Sequence, residues 1–332
     1  MKNQNNNVQQ NKYFNSGFSL VELLVALLIG SLLLLGIIQI FTASNQGAQG
    51  QNALLRIQEN ARIGLEFLAR DIRAVDYAGC LANKTNITNI ISRTGGFDPS
   101  IHEYFQLGAI NSFIANSGES LGSNELIASS DVLTLVGARP VCSGTGELVT
   151  NTDRVAPLQL KNSCDIPDGS VLLVTNCQTG NIFIKSGGES GIVGHTTAPV
   201  VGLANTSNQL NAVYSDNATL LEPYVYTYFI STGANGNTSL FRREGDRNFE
   251  LITNVRNLQF QFAVDANLDG VAEQLVSTAS LTPDQIPYVI GIEYSLALQA
   301  ESSDVLTERT FTTLTMIRNR TTPNYRLINQ GN

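Results

Sequence analysis

The sequence predicts an α+β protein, with one long N-terminal helix followed by an antiparallel β-sheet domain. Three observations predict it. A nearly unbroken apolar run extends from Phe18 to Phe41. An apolar stripe at helical spacing follows, from Leu54 to Val75. Beyond residue 130, short runs of β-prone residues recur, several alternating apolar with polar as half-buried strands do. Helix first and strands afterwards is the α+β order.

The first helix has a membrane half. Met1 to Gly17 is polar, rich in Asn and Gln, and weakly basic through Lys2 and Lys12. The apolar run then holds 24 residues, which as a helix reach about 36 Å, enough to cross a bilayer core. A secretory signal peptide places its cleavage site after the apolar stretch, beside small residues. Here the polar leader comes first and ends at Gly17. Glu22 is the only ionisable residue between Phe18 and Ala53. A carboxylate at membrane depth needs a partner. One reading is local: an acid in a first helical turn is favoured by the macrodipole. The other is intersubunit: cleavage after Gly17 frees an α-amino group on Phe18, and Glu22 of a neighbour neutralises it.

The second half of the helix is amphipathic. Polar residues 42–52 include Gly47 and Gly50, each of which weakens a helix by about 1 kcal/mol, so a bend or melted turn is expected there. Leu54, Ile57, Ala61, Leu65, Leu68, Ile72 and Val75 then share one face. Arg56, Glu59, Arg62, Glu66, Arg70 and Arg73 lie mostly elsewhere, and Glu66 with Arg70 makes an i, i+4 pair. The stripe lacks the sustained heptads of a coiled coil. The helix is expected to end near Tyr77, with Gly79 as its stop.

Gly17-Phe18-Ser19-Leu20-Val21-Glu22, with the apolar run behind it, resembles the processing motif of type IV prepilins and type II secretion pseudopilins. That resemblance implies cleavage after Gly17, N-methylation of Phe18 and an assembly role for Glu22. It also implies a pilin-like fold, the helix packed on the sheet. Asp71-Ile72-Arg73 and Tyr77-Ala78-Gly79-Cys80 resemble the end of this helix in PilW-like minor pilins.

After Leu81 the chain to Ser130 is Asn-, Ser- and Gly-rich and reads as loops with short pieces of structure. Val132–Val136 is a β-rich run. Val171–Thr175 and Ile182–Lys185 flank a turn and suggest a hairpin. Tyr224–Ile230 alternates, as do Leu258–Val264 and Ile290–Leu298, and Leu240–Arg243 is a short run. Phe311–Ile317 closes the series. Ser239–Glu244, Glu250–Phe262, the acidic turn Val264–Gly270 and Phe311–Arg320 resemble consecutive parts of the PilW pattern. The resemblance covers 17–80 and 239–320; residues 81–220 read as a variable insert and 221–320 as the C-terminal sheet.

Composition bounds the rest. The chain has 332 residues, 42 % hydrophobic and 14 % charged, so it can bury a core. Its net charge of −8 is the reverse of a nucleic-acid footprint, and no direct nucleic-acid contact is expected. The four cysteines, Cys80, Cys142, Cys164 and Cys177, contain no C-x-x-C pair and suit two disulfides in an oxidising compartment. Three pairings are open; spacing favours Cys164 with Cys177 and Cys80 with Cys142. Asp265, Asn267, Asp269 and Gly270 have the start of a calcium loop. The twelfth position is Val276, so it is not a complete EF-hand, and a self-bonded polar turn is the other reading. His102 and His195 read as surface loop residues, and no hydrolase, zincin or P-loop motif is present, so no enzyme is expected.

The expected organisation is a leader at 1–17, a transmembrane helix at 18–41, its continuation at 42–79 and an exported β-rich domain at 80–332. The resemblance implies a structural minor pilin in type IV pilus assembly, serving twitching motility, adhesion or DNA uptake. Its implied partners are other pilins, a prepilin peptidase and an inner-membrane assembly platform, and its place is the inner membrane and then the pilus. A J-like pseudopilin of type II secretion and a membrane-anchored adhesin or calcium-dependent binding module are the alternatives.

Overall fold

A computed structural model describes residues 19–92, 109–200, 202–299 and 308–321. Gly17, Phe18 and His102 lie outside the described residues. The fold is α+β, one long helix and an antiparallel-rich sheet domain. The chain divides into two compact units, Met1–Ala53 and Leu54–Asn332.

The helix, α1, is Leu20–Ala74. Its start is capped: the Glu22 amide donates to Ser19 Oγ at 3.3 Å, satisfying one of the free N–H groups of a helix N-terminus. The melted turn expected near Gly47 and Gly50 is absent, and these residues stay helical. Two single glycines weaken a helix but do not break the hydrogen-bond ladder of one this long. The end also differs from expectation. α1 stops at Ala74, and the first left-handed residue beyond it is Asp76, with φ of 64°; Gly79, with φ of 67°, turns the chain again after the helix has ended. Asp76 tolerates this because its amide donates to Val136 O at 2.9 Å and its carboxylate is held by Arg320.

The strands are β1 (Ile87–Asn89), β2 (Ile110–Ile114), β3 (Ser120–Leu121), β4 (Asn124–Glu125), β5 (Asp131–Pro140), β6 (Leu158–Gln159), β7 (Val171–Thr175) and β8 (Gly180–Ile184). There follow β9 (Ile192–Val193), β10 (Thr219–Thr232), β11 (Thr238–Glu244), β12 (Arg247–Thr253), β13 (Val255–Val264), β14 (Gln274–Ser277), β15 (Val289–Gln299) and β16 (Glu308–Met316). One sheet runs β1-β8-β7-β10-β11-β12, with β5 on β10 and β2 on β5. The 14-residue β10 joins its parts: Thr219–Leu221 pairs with β7, Leu221–Tyr228 with β5 and Tyr226–Thr232 with β11. The second sheet is β14-β13-β15-β16. The β7–β8 hairpin is the one expected, with Leu173 opposite Ile182.

Alternation places the core. Leu258, Phe260 and Phe262 of β13 are buried between exposed Arg256, Gln259 and Gln261. Ile292, Tyr294, Leu296 and Leu298 of β15 are buried likewise. In the second unit α1 buries Ile57, Ala61, Gly64, Leu68, Asp71 and Ile72. Gly64 permits a close approach: a Cβ there would lie 2.6 Å from Ile252 Cδ1 and 3.1 Å from Leu296 Cδ2, so either methyl would have to shift. Arg70 pairs with Asp71 at 3.1 Å rather than with Glu66, and its guanidinium lies over the Phe67 ring.

Both disulfides form, with a pairing that corrects the expected one. Cys80 joins Cys177 and Cys142 joins Cys164, at Cα separations of 4.8 and 5.7 Å. Cys164 and Cys177 are near in sequence, but β7 runs between them. Five extended residues carry the chain about 17 Å, beyond the reach of a disulfide. Cys177 therefore sits at the tip of the β7–β8 hairpin, beside the end of α1. Cys164 stays at the other end of β7, where Cys142 follows β5.

Candidate functional site

Three features could carry function: the N-terminal half of α1, a buried polar joint at the end of α1, and the acidic turn after β13.

The first is an apolar surface. From Leu20 to Phe41 the large aliphatic and aromatic side chains are each more than half exposed, Leu20 the most at 76 %. α1 is long and apolar enough to cross a membrane, with a mean hydropathy of 2.7 over its most apolar stretch. Glu22 is exposed and stands three residues after the capping Ser19, the serine-to-glutamate spacing of a capping box. The local reading of Glu22 thus has a structural basis in the capped first turn. It leaves the carboxylate with no charged side chain of the apolar stretch to answer it, because there is none up to Ala53.

The second feature ties the last turns of α1 to both sheets. Asp71 is buried, with a side chain 6 % exposed. Its Oδ2 accepts from Tyr228 Oη of β10 at 2.5 Å and from Arg242 Nη1 of β11 at 3.0 Å. Arg242 also lies 4.4 Å over the Tyr226 ring and 3.5 Å from Glu244. Burial, reinforced by the Asp71 charge, pushes the Tyr228 phenol well above the usual tyrosine range. The hydroxyl therefore stays a donor. Tyr294 of β15 donates to Leu65 O at 3.2 Å, and Tyr224 reaches Ala74 O at 3.5 Å.

One turn further on, the fully buried Arg320 meets Asp76. Nε donates to Asp76 Oδ2 at 3.1 Å, and Nη1 donates to Ile286 O and Val289 O at 2.7 and 2.9 Å. Asn319 Nδ2 donates to Val75 O at 2.7 Å, satisfying a carbonyl that the ended helix leaves free. Sequence reasoning noted Asp71 and Arg242 only as parts of a resemblance. Asp71 and Arg242 stand 171 residues apart, so spacing carries no signal of their pairing.

The third feature is the acidic turn. Asp265 is buried and its carboxylate accepts from the amides of Asp269 and Gly270 at 3.1 and 2.7 Å. Leu268 and Gly270 take positive φ to close the turn. Asn267 Oδ1 accepts from the Asp269 amide at 2.8 Å. Ligand-capable oxygens of Asp265, Asp269 and Glu273 lie within 4.8 Å of one another. Glu273, at the ninth loop position, thus joins the two expected aspartates. Much of this ordering is self-bonding of a polar turn, as the alternative reading expected.

His195 is not the surface residue expected. It is buried, its Nε2 is 3.0 Å from Ala156 O, and its ring meets Phe183 edge-on at 5.8 Å. This is a packed core histidine.

Two family models match the chain. Residues 14–38 match the prokaryotic N-terminal methylation motif. Residues 227–326 match the type IV pilus-assembly protein W family, PilW. No curated protein and no solved structure matches the chain. The first match contains Gly17, Phe18 and Glu22, and the second contains Tyr228, Arg242, Tyr294 and Arg320, the sheet side of the joint. With the methylation motif at the head of its helix and the assembly-protein segment in its sheets, the chain is similar to PilW-family type IV pilins over those two stretches.

Proposed function

We propose that this chain is a minor pilin that acts in assembly or initiation of a type IV pilus. In this reading 1–17 is the leader, 18–41 the membrane helix, 42–79 its continuation and 80–332 the exported domain. A prepilin peptidase cuts after Gly17 and methylates Phe18. The inner-membrane platform then moves the subunit into a bundle with other pilins, where Glu22 meets a neighbour's terminal amine. The observation that carries the reading is the lone Glu22 carboxylate in the capped first turn of an exposed apolar helix, inside the methylation-motif match. The match to the pilus-assembly segment favours the pilus over a secretion pseudopilin.

Mass spectrometry of the N-terminus from the native host tests it. A methylated Phe18 is expected; a chain that retains Met1 to Gly17 overturns the reading. Glu22→Ala is expected to be cleaved normally yet to reach pili in reduced amount, and normal incorporation would remove the assembly role of Glu22.

Calcium at the acidic turn is a second proposal, favoured by the approach of Glu273 to Asp265 and Asp269. Calorimetric titration of the detergent-solubilised chain with Ca2+ is expected to show one site that Asp269→Ala removes. No heat, or heat unchanged by the substitution, leaves only a polar turn.

A further inference from the structure

We propose that the Cys80–Cys177 disulfide is a redox-addressable clasp between the end of α1 and the β7–β8 hairpin, which a dithiol opens while Cys142–Cys164 stays closed. Access separates the two bridges. Cys80 and Cys177 are both exposed. Cys142 and Cys164 are half-buried and pack on the core cluster that holds Val141, Leu172 and Leu220. Thiol exchange starts with a thiolate attacking a disulfide sulfur, so the exposed bridge reacts first.

The step balances with a dithiol as reductant. One of its thiolates attacks Sγ of Cys80 or Cys177, the Sγ–Sγ bond breaks, and the electron pair leaves on the other cysteine. The second sulfur of the dithiol then displaces the first cysteine. The dithiol leaves oxidised as a cyclic disulfide. The protein has gained two electrons, and two protons rest on the Cys80 and Cys177 thiols.

What the bridge holds is also visible. Cys177 is at the hairpin tip, and Thr175 Oγ1 just before it donates to Ala78 O at 3.2 Å. Asn86 Nδ2 donates to Gln178 O, and Thr179 Oγ1 donates to Asn86 O, each at 2.9 Å. Gly79 fits here because a Cβ would lie 2.8 Å from Thr175 Oγ1. These bonds and the β7–β8 ladder do not run through the bridge, so the reduced chain is expected to stay folded. The bridge spans 97 residues of sequence against 22 for the other, so its loss frees the unfolded chain more. A cleft of about 420 Å³ bordered by Arg139, Pro167 and Glu222 reaches the half-buried Cys142 and Cys164, so that bridge opens more slowly rather than never.

The test is a dithiothreitol time course on the full chain in detergent, with acid quench, alkylation and peptide mass spectrometry. Cys80 and Cys177 are expected to be labelled at least about tenfold faster than Cys142 and Cys164. Equal rates, or Cys142 and Cys164 first, overturn the proposal. A Cys142→Ser/Cys164→Ser variant keeps only the clasp. It is expected to lose its bridge at the parent's fast rate, with a fall in melting temperature on the order of 10 °C. An unchanged melting temperature would show that the bridge clasps nothing. Should that variant fail to fold, Cys80→Ser/Cys177→Ser gives the complementary reading: only slow labelling, with any fast phase contradicting the assignment.

Discussion

Asp71→Ala is expected to lower folding stability by about 3–5 kcal/mol, the cost of removing one partner from a buried ion pair. Asp71 and Arg242 have side chains only 6 % and 15 % exposed. Without the carboxylate, Arg242 keeps Glu244 at 3.5 Å and the Tyr226 ring, and its buried Nε already has no hydrogen-bond partner. Tyr228 loses its acceptor and keeps only Phe67 O, at 3.4 Å. A stranded buried hydroxyl alone costs about 1–3 kcal/mol. The two losses belong to one network and do not add in full, and Glu244 still partners Arg242, so the lower end of the range is the working value. Urea unfolding of the detergent-solubilised chain, followed by tyrosine signals because the chain has no Trp, measures the change. Tyr228→Phe is expected to cost about 1 kcal/mol, and the Asp71→Ala/Tyr228→Phe double variant less than the sum. A loss below about 1 kcal/mol for Asp71→Ala at unchanged denaturant slope would refute the joint as a source of stability.

Three further substitutions probe the fold elsewhere. Asp131 accepts from the Phe260 amide and Thr278 hydroxyl, both at 2.7 Å, yet burial holds its carboxyl above the unfolded value of 3.8. A raised folded pKa gives stability that is full below 3.8 and is lost as pH rises through the folded value. Asp131→Asn should therefore match the parent near pH 3 and gain on it toward pH 7 in melting temperature; a constant difference across that range would show that the charge is not at issue. Gly64→Ala presses a methyl against Ile252 and Leu296 and is expected to cost about 1–3 kcal/mol in chemical denaturation, whereas a gain from helix propensity alone would mean the crossing has slack. Arg320→Met leaves the buried Asp76 carboxylate only Lys84, 4.0 Å away, and is expected to cost about 3 kcal/mol, while Asp76→Asn/Arg320→Met costs less; a double variant no better than the single would show that Arg320 acts mainly through the Ile286 and Val289 carbonyls.

What the sequence revealed and concealed divides by range of interaction. The apolar stripe of α1 and the alternation of β13 and β15 are local, periodic signals, and the buried residues follow them. The edge strands β12 and β14 were not read as strands of their own: Phe249 and Glu250 break the alternation of one, and the other has four residues with a single buried one, Val276. An edge strand packs fewer side chains and so needs less of a pattern. The disulfide pairing was misread because nearness in sequence ignores a strand run between two cysteines. The helix stop was misread because Asp76 holds its left-handed turn through Arg320, 244 residues away. His195, placed on the surface from its loop-like neighbours, is buried by the Phe183 contact that only the fold supplies.

Sixteen large apolar side chains between Leu20 and Phe41 are exposed on α1, and nothing else in the described chain covers them. At about 2 kcal/mol each, their burial elsewhere is worth on the order of 30 kcal/mol. In the proposed reading, lipid provides that cover for a stored subunit, and other pilin helices provide it in a fibre. Either cover holds the N-terminal half of α1 more strongly than a whole domain of ordinary stability is held folded. A pull along the subunit would therefore yield first within the second unit, where α1 meets the sheets. The hydrophobic face there reads as any amphipathic helix does, but its ridge is fixed by directional bonds: Asp71 to two strands, Asp76 to Arg320, and tyrosine hydroxyls to main-chain carbonyls. Apolar contacts slide with little loss, whereas an ion pair buried with its hydrogen bonds has one register. Substituting the joint should thus alter how the domain holds its helix under load before it alters whether the helix enters the membrane. Asp71→Ala pilin that inserts and is processed normally, yet is sheared from its helix by protease in pili, is the outcome this reasoning requires.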